Sequence, residues 1–398
     1  MAKRLAIPSE ETKLTVVGPY NSYAVARVQR VTLNSDIPTT DIYELGNKTQ
    51  VGTAQDVPNI TVTFSVFDVG IRLFSALVGE DPDAYPGGGV DISDLGEVDA
   101  ILYVKDADTA DYVKAAHGKR MQIRDFSFSY TVDGESTEDY TLIGSEKRWF
   151  KNDIIVDRLT GGGTTFNLTE VPIILKNGNY ALSVILDGEY LTEVTTAPDV
   201  TGEYRIVGQV LTTFDTSTEQ VLVIYHAHKA GTNWTYVSEL IQPDAIRGKD
   251  VDVFIAANSI VRVQSVTING NLNTQPVKEL GNRAIIGYQR QVPTVDGTIT
   301  VLDTDTELID LLVTGSTNSG DTEFELGQGC IVGSGVSLKV QLVDPCDTTS
   351  PYTVLKTLYI PSITIIGDSY TSTVNQNASQ TFNFRATTGE LYVFSGAY

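Results

Sequence analysis

One short sequence occurs twice in this 398-residue chain. RVQRVTLN begins at Arg27, and RVQSVTIN begins at Arg262, 235 residues later. With that spacing kept and no gap, 20 of the 52 residues from 27 to 78 are identical to residues 262–313. Because chance does not produce an ungapped match of this length, the chain contains two copies of one folding unit.

The residues between the repeated motifs have the pattern of β-strands. Apolar and polar residues alternate in ITVTFSVF (60–67), IRDFSFSYTV (123–132) and VLVIYHAH (221–228). A period of two is typical of strands with one buried face, and the Gly, Asn and Asp residues between these runs favour turns. The sequence therefore predicts a mainly β protein.

One short helix is predicted in each copy. In copy two, Asp303 or Asp305 can cap a helix over TELIDLLVTG, and Gly315 follows it. The matching stretch of copy one is DVGIRLFSALVG, which Gly79 ends. The apolar face consists of Leu73, Phe74 and Leu77 in copy one and of Leu308, Ile309 and Leu312 in copy two. Each copy is thus predicted as strand, long polar loop, strand, short helix and further strands.

The repeat also predicts the domain organisation. Residues 123–150 resemble residues 360–394, so we assign 1–158 to copy one and 246–398 to copy two. Residues 159–245 have no counterpart, and we call them the middle module. Gly161–Gly163 near its start predict a flexible linker, and alternating strands around an Asp187-Gly188 turn predict a small β-sandwich at about 164–230.

Composition limits the possible partners. The chain has 28 basic and 50 acidic residues, a formal charge of −22. This balance argues against ordinary nucleic-acid binding, which relies on Lys and Arg, and suits a surface that repels a polyanion. No apolar run is long enough to span a bilayer, and MAKRLAIPSEE lacks a secretory leader, so we expect a cytoplasmic setting.

No constellation for catalysis or metal binding stands out. His117, His226 and His228 have no nucleophile beside them in the sequence, although partners brought together by folding stay possible. His226 and His228 share one strand face, but two ligands do not make a metal site. Cys330 and Cys346 match no zinc spacing and are expected as free thiols.

Two loops suggest ion or phosphate binding only weakly. DTDTELID (303–310) lacks the central Gly and the correctly spaced Glu of a calcium loop. PGGGVDISDLGEVD (86–99) has no Lys after it and opens no helix, unlike a phosphate-binding loop. We therefore predict no catalytic, cofactor-binding or metal-binding residues, no cofactor and no enzymatic activity.

The motifs VQRVTLN, YELGN, VP, VTFSVFD and LFSALVG, with their second copy, resemble the major tail tube proteins of tailed bacteriophages. The resemblance implies two tandem β-sandwich/barrel domains of tail-tube type, each with one short helix, and the middle module resembles small β-sandwich modules attached to phage virion proteins. Tube proteins of this family stack as rings whose inner sheets form one β-barrel around a DNA channel. The implied location is the virion tail, after assembly in the host bacterial cytoplasm.

The resemblance also implies partners. Six-fold rings of single domains become three chains when each chain carries two domains, which predicts a homotrimeric, pseudo-hexameric ring without free sheet edges. Other tail proteins, such as the tape measure and tail-end proteins, would bind the tube. DNA would pass through an acidic lumen without specific binding. Loops 34–56 and 269–291 are expected between stacked rings, and residues 164–229 are expected to project outward and to be dispensable, unless they clamp the two copies together.

Two other functions remain open from the sequence. A receptor-binding or adhesin protein of a virion would suit the Tyr-rich β domains and the middle module. An enzyme with a spatially assembled acidic site, acting on polysaccharide, would need paired carboxylates in one cleft. Whether the tail is contractile also stays open, although a bulky module favours a non-contractile tail.

Overall fold

The computed structural model describes residues 12–19, 21–45, 47–67, 70–78, 90–105, 112–151, 153–160, 162–217, 220–227, 246–280, 285–302, 307–314, 323, 335–347, 353–375 and 377–397. Several predicted features therefore lie outside the described residues. These are the helix-flanking residues Gly79, Asp303, Asp305 and Gly315, the Gly-rich loop residues 86–89, His228, Cys330, Gly161 and residues 228–245.

Copy one is built from strands and one short helix, as predicted. The polar loop 34–56 is not plain loop, because it contains a two-stranded hairpin that has no apolar alternation to reveal it. The elements are β1 Thr12–Val17, β2 Ser22–Ala24, β3 Val28–Asp36, β4 Thr39–Ile42, β5 Gly52–Gln55, β6 Asn59–Phe67, α1 Arg72–Val78, β7 Val90–Asp91, β8 Glu97–Lys105, β9 Tyr112–Thr131, β10 Thr137–Gly144 and β11 Glu146–Phe150.

The middle module is a sandwich of two four-stranded sheets, ordered β12-β19-β14-β15 and β13-β18-β17-β16. Its first strand starts at Asp153, and Gly163 already pairs with Ser217, so Gly162 and Gly163 lead from one strand into the next rather than form a flexible linker. The strands are β12 Asp153–Thr160, β13 Gly163–Asn167, β14 Ala181–Leu186, β15 Glu189–Tyr190, β16 Thr192–Glu193, β17 Glu203–Val207, β18 Val210–Ser217 and β19 Gln220–Ala227.

Copy two repeats copy one closely. Strands β3 and β22, and strands β6 and β25, have bounds exactly one repeat apart, and both helices begin at matching positions. The elements are β20 Val251–Ile255, β21 Asn258–Ser259, β22 Val263–Asn271, β23 Gln275–Val277, β24 Gly287–Gln289, β25 Thr294–Leu302, α2 Glu307–Thr314, β26 Val336–Val343, β27 Val354–Thr371, β28 Ser379–Ala386 and β29 Tyr392–Ser395.

The repeated Arg-Val-Gln sequence has a structural reason. Arg27 and Arg262 both have positive φ, 52° and 62°, which is rare for residues other than glycine. In each copy the Gln two residues later donates a side-chain hydrogen bond to the Arg carbonyl, at 2.9 Å from Gln29 and 3.2 Å from Gln264. Both strands have a β-bulge immediately after this point. The motif therefore encodes the same strained strand entry twice.

The two copies share one hydrophobic core. Helix α1 contributes Leu73, Phe74 and Leu77, and α2 contributes Leu311 and Leu312. Strand residues complete the core, among them Phe64, Phe128, Tyr140, Val266, Ile299, Phe382 and Phe384. The duplicated units are therefore packed against each other rather than joined only by the chain between them.

Candidate assembly interface

The sheets of the two copies join through strands β9 and β22. Residues Asp125–Thr131 pair antiparallel with residues Ser265–Asn271, and a single sheet runs in the order β3-β6-β10-β9-β22-β25-β28-β27. We call the β9–β22 pairing the intrachain junction. It gives one observed example of how the end of one copy receives the beginning of the next.

The strand pairings establish which positions correspond between the copies. Phe64 lies opposite Tyr140, which lies opposite Phe126 on β9. In copy two, Ile299 lies opposite Phe382, which lies opposite Asp368 on β27. Ile299 is the repeat of Phe64, so β27 positions correspond to β9 positions 242 residues earlier. Phe128 thus corresponds to Tyr370, and Glu138 on β10 corresponds to Gln380 on β28.

The outer strands of this sheet each keep an edge without a strand partner among the described residues. On β3 this is the edge that corresponds to the paired edge of β22, and on β27 it is the edge that corresponds to the paired edge of β9. Phe128 on β9 is 0% exposed, whereas its counterpart Tyr370 is 58% exposed. We call the edges of β3 and β27 the open edges. Unpaired edges are a hazard unless another chain or element covers them.

A second contact between the copies involves β7 and β29. Val90 of copy one pairs with Val393 of copy two, which is fully buried. Val393 lies beside β27 at Leu358, and the corresponding place beside β9 at Ala116 is taken by Trp149. Trp149 is 49% exposed. The surface of copy one thus exposes an indole where copy two buries an isopropyl group under its neighbour.

A buried ion pair closes the core side of the intrachain junction. Lys356 of copy two contacts the Glu138 carboxylate of copy one, and both side chains are almost completely buried. The Lys356 ammonium lies 5.1 Å from the ring centre of Phe128, and the Tyr140 hydroxyl donates to Glu138 at 2.7 Å. Removing one partner of such a pair leaves an uncompensated buried charge, which is strongly destabilising.

Further polar contacts tie the hairpin of copy two to copy one. Arg290 follows β24 and donates to the Ser93 carbonyl and to the Gln122 side chain, each at 2.9 Å. Lys278 forms an exposed salt bridge with Asp56 at 2.9 Å, and such exposed pairs contribute little. The hairpin is therefore held mainly at its base.

The hairpin tips expose apolar side chains at the same repeat position. Leu45 and Leu280 belong to the two ELGN motifs, and their exposed fractions are 106% and 104%. Tyr43, two residues before Leu45, is also exposed. The identical placement of a fully exposed leucine in both copies marks the hairpins as contact elements.

One face of the continuous sheet is polar. Along β6, β9, β10, β22 and β25, buried apolar residues alternate with partly exposed residues that are mostly Ser, Thr and Asn. The strand pairings place the acids Asp36, Asp125, Asp139 and Asp296 and the bases Arg30 and Arg385 on this face. The face is therefore hydroxyl-rich and slightly negative.

The middle module packs on copy one through a dry interface. Strand β14, ALSVIL, is buried on both sides, because one side faces the module's own core and the other faces copy one. This second side joins Leu182, Ile185, Leu222 and Ile224 of the module with Val17, Ile101 and Tyr103 of copy one.

A polar network lies inside that interface. The Asp99 carboxylate contacts His117 Nε2 at 2.9 Å and accepts hydrogen bonds from Ser183 Oγ at 2.5 Å and from the Tyr190 hydroxyl at 3.2 Å. Burial alone would raise the pKa of Asp99, but the charge of His117 and the hydrogen bonds from His117, Ser183 and the Arg120 amide outweigh it and keep the pKa below its usual value.

Sequence reasoning missed this network, since its members are far apart in the chain. It resembles a catalytic triad in composition but not in arrangement. In a triad the serine bonds to the histidine, whereas Ser183 and His117 both contact the same Asp99 oxygen here. All three side chains are buried, so a substrate has no access to them. The arrangement is that of a tether between copy one and the middle module.

The other candidate residues remain separate. His226 Nε2 contacts the Lys151 carbonyl at 3.0 Å, and Cys346 is an exposed free thiol. In the part of the chain that the structure describes, no three His, Cys, Asp or Glu residues are grouped so that they could hold a metal ion. No helix among the described residues is long and apolar enough to cross a membrane.

No family model and no curated protein matches the chain. Among solved structures it is similar to the tube-terminating cap of the anti-feeding prophage, with 13% identity over 38% of this chain and 95% of that chain and a TM-score of 0.26. It is also similar to a chain of the PVC sheath–tube complex, an extracellular contractile injection system in its extended state. There the identity is 12% over 37% of this chain and 93% of that chain, with a TM-score of 0.25. These similarities are too low to carry a functional conclusion, which must come from the interfaces themselves.

Proposed function

We propose that this chain is a structural subunit of a phage-type tail tube and that three chains close into one pseudo-hexameric ring. The observation that supports the proposal is the intrachain junction together with the two open edges. One chain already contains a β9–β22 junction, and it presents both halves of a second one. Repeating the junction from chain to chain removes every open edge, as closure of a barrel does.

The polar sheet face would then line a channel. Its hydroxyl and amide groups, with more acids than bases, suit passage of DNA without specific binding, because phosphates meet few cations there. The tube would contact tape measure and tail-end proteins at its ends, and it would assemble in the bacterial cytoplasm before becoming part of the virion. In this role the chain is not an enzyme and needs no cofactor.

The hairpins with exposed Leu45 and Leu280 would stack one ring on the next. Long, ordered polar segments are often functional, and apolar tips gain free energy when a second ring covers them. Deleting either hairpin tip should leave rings but block long tubes.

The middle module would form part of the ring wall. Its dry interface with copy one and the Asp99 network favour a fixed position over a detachable decoration. Replacing residues 164–229 by a linker would uncover the apolar surface around Ile101 and Tyr103, so we expect ring assembly to fail, contrary to dispensability.

The mass of the assembled particle tests the proposal. Native mass spectrometry and electron microscopy of the purified full-length chain should show rings of three chains that stack into tubes at high concentration. A six-chain ring, or a chain that stays monomeric under all assembly conditions, would overturn the proposal.

A further inference from the structure

The intrachain junction contains a binding site for a lysine. Its parts are the Phe128 ring on β9, the Glu138 carboxylate on β10 and the Lys356 ammonium, which reaches them from copy two. The lysine side chain is fully buried between an aromatic face and an acceptor. Such a site recognises a cation through both the ring and the charge.

Every part of this site has a counterpart in the other copy, 242 residues away. Tyr370 stands for Phe128, Gln380 stands for Glu138, and Lys114 stands for Lys356. The two lysines precede the same β-bulge on matching strands, opposite Val104 and Leu342 respectively. The correspondence therefore rests on strand register and not on residue type.

Within one chain the second set is not assembled into a site. Lys114 is exposed on copy one, where its ammonium lies 4.8 Å from the ring centre of Trp149. Tyr370 and Gln380 belong to copy two, and Tyr370 is largely exposed at an open edge. We propose that Tyr370 and Gln380 form a lysine-binding site that receives Lys114 of a second copy of this chain. The inference rests on the proposed ring and identifies the contact by which one chain recognises the next.

The chemistry of the site fits a cation although Gln380 is neutral. Gln380 Nε2 donates to the Asp368 carboxylate at 3.0 Å. This bond orients the amide so that its carbonyl oxygen is left for an incoming donor, and Asp368 supplies the negative charge that Glu138 supplies in the intrachain junction. Asp368 occupies the position of Phe126, so charge has replaced an aromatic ring beside the site.

Charge reversal tests the contact in the full-length chain. Lys114→Glu and Gln380→Lys should each raise the critical concentration for ring assembly at least tenfold, which is about 1.4 kcal/mol per junction. The double variant restores opposite charges across the junction and should return to within about threefold of the wild-type chain, since coupled pairs compensate. Lys176→Glu, an exposed lysine on the middle module, is the matched control and should have no effect.

A cross-link that needs no substitution guards against variants that fail to fold. A zero-length carbodiimide joins adjacent lysine and carboxylate side chains, and mass spectrometry of assembled wild-type rings should find Lys114 joined to Asp368 of another chain. Rings of three chains without this cross-link, or with an unaffected Lys114→Glu variant, would overturn the inference and leave the proposed function standing. Failure of the wild-type chain to form rings would instead overturn the proposed function.

Discussion

The intrachain junction and the open edges are the same structural element with different side chains. At the junction, Phe126, Phe128 and Glu138 are buried because copy two covers them. At the open edge of β27 the same three positions are Asp368, Tyr370 and Gln380. A junction that forms as the chain folds can carry buried rings and a buried charge, whereas an edge that meets water before assembly must stay soluble. The difference separates permanent from assembly-dependent contacts.

The largest effect is expected for Lys356. Lys356→Ala should lower the free energy of unfolding of the unassembled chain by about 3–5 kcal/mol, because Glu138 would be left as a buried, unpaired charge. The matched control Lys114→Ala should change it by less than about 0.5 kcal/mol, as for other surface substitutions. Urea denaturation measures both. Equal effects would mean that the two lysine positions do not differ as we describe.

The next effect concerns the tether to the middle module. Asp99→Asn should cost about 1.5–3 kcal/mol at neutral pH, since a buried carboxylate loses its charge-assisted hydrogen bonds. The pKa of Asp99 is lower in the fold than its usual 3.8, so its contribution is present above that value and disappears as the pH falls below it. The stability gap between wild type and variant should therefore close in acid. A gap that widened in acid would contradict the sign.

A smaller but sharper test uses the glycine at the junction. A Cβ atom at Gly270 would lie 2.0 Å from Phe126 Cζ, so Gly270→Ala should cost about 1–3 kcal/mol through overpacking. Ser35 is the counterpart of Gly270 on the open edge, and Ser35→Ala should be close to neutral in the unassembled chain. Thermal unfolding of the two variants compares the junctions directly. A neutral Gly270→Ala would show that the rings at this junction have room to move.

The sequence predicted the parts of the fold that depend on local pattern. The repeat, the alternating strands such as β6, and the helices over Leu73 and Leu308 follow from residues close together, and the structure confirms them. The hairpins around Leu45 and Leu280 were predicted only as polar loops, because their short exposed strands have no buried face. The glycine-rich stretch failed as a linker signal because strand pairing with β18 fixes it.

The contacts that matter for assembly were beyond sequence reasoning. The intrachain junction pairs residues 140 positions apart, and Ser183 meets Asp99 across 84 positions. Such contacts depend on which strand edges face each other, and alternation alone does not encode this. Once the register of β9 on β22 is known, however, the repeat supplies the corresponding register for the open edges.

That register is the central claim, and a cysteine pair tests it. In the intrachain junction Ser127 Oγ donates to Asn269 Oδ1 at 2.8 Å, and the counterparts of these residues at the open edges are Ser369 and Asn34. With Cys330 and Cys346 replaced by serine, Asn34→Cys combined with Ser369→Cys should give disulfide-linked trimers on mild oxidation of assembled rings, because directly opposed residues approach closely enough to bridge.

The control is Asn34→Cys with Thr371→Cys, which lies on the same strand face but two residues out of register. Non-reducing electrophoresis with mass spectrometry should find covalent trimers for the Ser369 pair and chiefly monomers for the Thr371 pair. Efficient cross-linking of the Thr371 pair alone, or of neither pair in intact rings, would contradict the claim that β27 and β3 meet between chains as β9 and β22 meet within one.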